Sequence, residues 1–140
     1  MFVAIAGLVL GVQALLTRRT RAAVPAPEAL GRAGELMRAV STAAGEIRAR
    51  ALPLADADPV ATAAAEVVAA AYRLACLVVR SHGRVPTALD ALAVARRRME
   101  SVAGRIGERA PTTVLVEDLT KVRRHLEARE DAVRIQLGER

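Results

Sequence analysis

The chain has 140 residues, 53% of them hydrophobic, and a net charge of +6. One cysteine, no tryptophan, one tyrosine and one phenylalanine exclude a disulfide scaffold, a thiolate metal site and an aromatic-based nucleic-acid surface. Alanine dominates the apolar residues, which favours helix over sheet because alanine loses no side-chain entropy in a helix. Arg18, Arg19 and Arg21 precede every acid in the chain, leaving 18 basic against 15 acidic groups elsewhere. Half of the excess charge is therefore local. Lys121 is the only lysine, and this Arg and Ala bias matches GC-rich bacterial coding.

Residues 2–16 carry no charge and only Gln13 as a polar side chain. As a helix the run reaches roughly 22–24 Å, short of the ~30 Å hydrocarbon core. Snorkelling of the following arginines extends it. A secretory leader needs its positive charges before the run, whereas these follow it. A core helix of a soluble protein is a third reading. The flanking arginines favour a single-pass anchor over residues 1–17 with the C-terminal side in the cytoplasm. They also suit anionic headgroups. Ala4, Gly7, Gly11 and Ala14 share one helical face, the pattern by which membrane helices pack and self-associate.

Residues 18–27 form a basic linker with two prolines, and residues 28–140 a helical domain. Apolar positions in residues 28–51 step by three and four from Leu30 through Met37 and Ile47. The next helix is expected over 59–81, with Asp58 as N-cap, Pro59 at the first position and His82-Gly83 as the stop. It is the most apolar segment after the anchor. Its wet stripe is thin: Thr62, Glu66, Arg73 and Arg80 lie within roughly 40° of one another. That pattern predicts the central helix of a bundle. Glu66 and Arg73 are a candidate interior polar pair.

A third helix is predicted from about Pro86–Thr87 to Arg109, opening on a capping box formed by Thr87 and Asp90. Val85, Leu92, Met99 and Ile106 recur every seven residues, with Ala88, Ala95 and Val102 beside them, a heptad seam. Arg96, Arg97 and Arg98 form a candidate basic patch. The last helix is predicted from Thr112–Thr113 to Leu137, with its apolar stripe interrupted near Arg129. Glu117 and Lys121, and Glu130 and Arg134, are spaced for ion pairs.

Short connections predict sequential antiparallel packing. The expected fold is all-α: an N-terminal apolar helix, then an antiparallel four-helix bundle or two helical hairpins. The stretch Ala26-Pro27-Glu28-Ala29-Leu30 before an Ala-rich helix is similar to the helical hairpin of the PE family. The apolar segment ahead of it, and no Tyr-x-x-x-Asp/Glu signal behind it, depart from that family, and no family is assigned.

No phosphate-binding glycine loop, nucleophile elbow or HExxH pattern occurs. His82 and His125 lie in separate segments, and Cys76 sits in an apolar run. No catalytic, cofactor-binding or metal-binding residue is expected. The reading is a non-enzymatic, membrane-anchored scaffold that meets a protein partner or a second copy, without a small-molecule substrate. Nucleic acid is disfavoured as a partner. A soluble basic DNA-binding protein and an exported helical protein are the alternatives.

Overall fold

The computed structural model describes residues 27–54, 57–108 and 110–138, with side chains from residue 31 onward. The anchor, Ala4, Gly7, Gly11 and Ala14, and the linker arginines Arg18, Arg19 and Arg21 lie outside the described residues. Four helices follow: α1 (Pro27–Ala51), α2 (Ala57–Arg80), α3 (Pro86–Arg105) and α4 (Thr112–Gln136). No strand occurs among the described residues.

The helix boundaries follow local chemistry, with three corrections, the first being that α3 ends at Arg105, four residues before the expected Arg109. α3 begins at Pro86 and is preceded by Val85, with no side-chain cap hydrogen bond. Proline is pre-organised for the first helical position, so Thr87 is already inside the helix and the expected capping box does not form. Asp58 likewise falls in the first turn of α2, which opens at Ala57. The TTVLV segment is helical from Thr112 on. At the end of α2, His82 and Gly83 both take positive φ, 55° and 74°. The Gly83 N–H donates to the Val78 carbonyl (3.0 Å) and the His82 N–H to that of Val79 (3.1 Å). These are the two bonds of a Schellman stop.

α1 packs on α2 and α3, and α4 packs on α2 and α3. α2 and α3 also approach each other across the centre, while α1 and α4 do not among the described residues. The cross-section is a rhombus in the order α1, α2, α4, α3. Two hairpins, α1–α2 and α3–α4, lie against each other. Each sequential pair is in contact, as expected, but α2 and α3 meet across a diagonal rather than along an edge.

Side-chain size accounts for which diagonal is short. The inward face of α2 carries Ala64, Ala71 and Ala75, and that of α3 carries Ala88, Ala91 and Ala95, all buried. α2 and α3 also bury Leu74, Leu77, Leu92 and Met99, but between them they bury nine alanines, against four in α1 and none in α4, where Leu115, Leu119 and Leu126 are buried. Alanine lets two helices approach, and leucine holds them apart. A short diagonal is also what lets residues 81–85 join α2 to α3.

Contact registers fix the directions. Arg73 meets Glu130, and Arg123 meets Glu66, each pair 57 residues apart. A constant offset means that α2 and α4 run parallel. The Arg105–Asp118 pair joins the end of α3 to the start of α4, as an antiparallel hairpin requires. Arg50 Nη1 donates to the Ala103 carbonyl at 2.7 Å, bringing the last turns of α1 and α3 together.

The heptad seam of α3 is buried throughout, from Val85 to Ile106. α2 buries thirteen residues, Cys76 among them, and leaves Thr62, Glu66, Arg73 and Arg80 exposed. By length and composition α2 is apolar enough to cross a membrane, yet 67% of its most apolar window is buried in the bundle. A core helix in contact with three neighbours needs that much apolar surface for packing alone.

Candidate functional site

Ionisable side chains collect along the seams between helices, and each seam has its own charge balance. The α2/α4 seam holds an alternating ladder. Arg123 Nη1 lies 2.7 Å from Glu66 Oε2, and its Nε lies 3.6 Å from Glu127 Oε1. Glu127 Oε1 is 3.9 Å from Arg73 Nη2, and Arg73 Nε is 2.9 Å from Glu130 Oε1. Glu130 Oε2 then lies 3.6 Å from Arg134 Nε. Three carboxylates and three guanidinium groups cancel.

Glu66 and Arg73 therefore belong to one network but do not pair with each other. Two helical turns, about 10.5 Å of rise, separate them. Each reaches across to α4 instead. Nor are they interior, since their side chains are 48% and 44% exposed. Arg123 and Glu127 are the members that the sequence reading did not single out; the expected Glu130–Arg134 pair forms, but spacing alone does not disclose that Glu130 also meets Arg73. Glu130 is the only buried carboxylate among the described residues. It takes an inward position between Leu126 and Val133, where the stripe of α4 is broken. A glutamate in such a gap reads from sequence as an interruption; only the facing Arg73 shows why it is tolerated.

Removing that carboxylate is expected to cost more than removing any other in the ladder. Glu130→Gln should lower stability by about 1–2 kcal/mol, because two arginines lose a partner while water still reaches Arg73. Glu66→Gln should cost at most about 0.5 kcal/mol, as exposed pairs do. Urea unfolding of both variants checks the ranking, and equal losses would contradict it.

The α1/α3 seam is a groove of about 270 Å³ lined by Glu35, Arg38, Glu46, Arg96 and Glu100, with Arg96 Nε held 3.1 Å from Glu100. The α3/α4 seam is a groove of about 430 Å³ lined by Arg98, Ser101, Arg105, Asp118 and Lys121. Arg105 Nη2 lies 2.7 Å from Asp118, and Lys121 Nζ only loosely meets Glu117 at 3.7 Å.

The Arg96-Arg97-Arg98 triplet is thus divided. Consecutive residues of a helix point 100° apart. Arg96 lines one groove and Arg98 the other, and Arg97 stands exposed between them. A run of three arginines in sequence is not one patch in space. No group of three metal-ligating side chains occurs among the described residues. No protein-family model, curated protein or solved structure matches this chain.

Proposed function

We propose that the chain is a non-enzymatic, single-pass membrane protein whose helical domain is a cytoplasmic interaction module. Residues 1–17 anchor it, Arg18, Arg19 and Arg21 hold the cytoplasmic side, and residues 28–140 meet a protein partner or a second copy. The observation that supports this reading is the bundle interior. Apolar side chains fill it from Ala33 to Val133, and Glu130 is its only charged group among the described residues. The polar chemistry lies on the surface, which is where recognition of another macromolecule takes place.

The division of the arginine triplet counts against the DNA-binding alternative, which needs its cations aligned along one backbone track.

Fractionation of cells making the full chain tests the proposal. The protein is expected in the membrane pellet, resistant to carbonate washing, with the bundle open to protease only from the cytoplasmic face. Deleting residues 1–17 should release a helical, folded protein. Full-length protein in the cytosol or the medium would refute the anchor. A shortened chain that no longer folds would assign residues 2–16 to the core.

A further inference from the structure

The charge balance of the seams differs in a way that folding does not require. The α2/α4 ladder is neutral, and the α1/α3 groove holds three acids and two bases. The α3/α4 groove holds Arg98, Arg105 and Lys121 against Asp118 alone. Arg98 has no ion pair among the described residues. Arg105 gives one end of its guanidinium to Asp118, while its Nε is buried with no hydrogen-bond partner. The Nε groups of Arg129, further along α4, and of Arg123, in the neutral α2/α4 ladder, are also buried with no hydrogen-bond partner, so the net charge of the groove and the unpaired Arg98 are what set it apart.

Unused buried donors cost stability unless something accepts from them. In this groove Asp118 answers Arg105 and Glu117 only loosely meets Lys121, while Arg98 has no carboxylate opposite it, and the space left open is large enough for a tetrahedral oxyanion. The Ser101 hydroxyl lines it as a further donor.

We propose that the α3/α4 groove is a phosphate-binding site, with Arg98 and Lys121 as its main cations and Arg105 as a donor already oriented by Asp118. Charge-assisted hydrogen bonds from guanidinium and ammonium groups recognise a phosphate dianion by charge and by geometry. The phosphate is carried either by a soluble phosphate ester or by a lipid headgroup. On the membrane-anchored reading the headgroup is the nearer source, but the site itself does not depend on that reading.

The test uses the full chain in zwitterionic micelles, titrated with inorganic phosphate and followed by NMR of backbone amides and arginine Nε–H groups. Saturable shifts confined to α3 and α4 are expected. Arg98→Gln combined with Lys121→Gln should weaken binding by about tenfold or more, leaving the Arg105–Asp118 pair in place. Arg97→Gln, outside the groove, should change it by less than about twofold. Vesicles of phosphatidylcholine with and without phosphatidic acid separate the sources. Protection of α3 and α4 from hydrogen exchange only with phosphatidic acid, lost in the double variant, assigns a headgroup. Phosphate binding without that protection assigns a soluble ester. The proposal falls if phosphate shifts do not saturate, or if the double variant binds as the parent does. It also falls if Arg97→Gln is as damaging as the double variant, or if only duplex DNA binds, since either result would mark a diffuse charged surface.

Discussion

Leu119→Ala is expected to lower the free energy of unfolding by about 2–5 kcal/mol. Leu119 is fully buried on the inward face of α4. It stands on the long diagonal, where large side chains from α1 and α4 fill the width of the rhombus. Among the described residues α4 and α1 do not approach each other, so the backbone cannot close easily over the space that a lost isobutyl group leaves. The loss should therefore lie well above the transfer free energy of the removed atoms. For a helical domain of this size, a loss of about 3 kcal/mol lowers Tm by roughly 10–15 °C. Urea unfolding followed by circular dichroism measures it. A loss below about 1 kcal/mol would mean that the helices collapse inward and that the long diagonal is not held open by its leucines.

The second large effect is of opposite kind. Ala71→Leu should destabilise by about 1–3 kcal/mol although it adds apolar surface. Ala71 is fully buried on α2, and Ala95 is buried on α3, the helix that α2 meets along the short diagonal. Extra methylenes there must push apart two helices that residues 81–85 tie together. The same change at Ala69, exposed on α2, should be within about 0.5 kcal/mol of the parent. An Ala71→Leu protein as stable as the parent would show that the diagonal has slack, and the size argument for the rhombus would fail.

These two residues also mark the limit of what the sequence discloses. Their burial was legible. The stripe containing Leu119 and the narrow wet face of α2 follow from helical periodicity, and so does the heptad from Val85 to Ile106. Periodicity identifies a buried face without naming its partner. Nothing in the spacing of Ala71 or Ala95 says that α2 and α3 meet across a diagonal, and the short connection between them suggested ordinary neighbours. The ladder shows the same limit. Glu66 and Arg73 were visible as polar residues on an apolar helix, but their partners sit 57 positions away on α4. Local spacing does not encode that offset. Glu130 was legible as the local partner of Arg134, but its burial has no meaning until Arg73 faces it. The capping box was misread for a different reason: Pro86 set the helix start before Thr87 could serve as a cap.

The hydrogen bond from Arg50 to the Ala103 carbonyl has an electrostatic consequence. In a bundle where each helix has only antiparallel neighbours, opposite ends of peptide dipoles alternate around each rim. Here α1 and α3 run parallel, so two helix C-termini, each with a partial negative charge, come together at one end. That rim also collects Arg48, Arg50 and Arg105, all in the last turns of these two helices. Arg50 reaches across the join to an oxygen of the facing helix end. The arrangement places cations where two like dipole ends would otherwise repel, and so favours side-by-side packing of the two hairpins in parallel register.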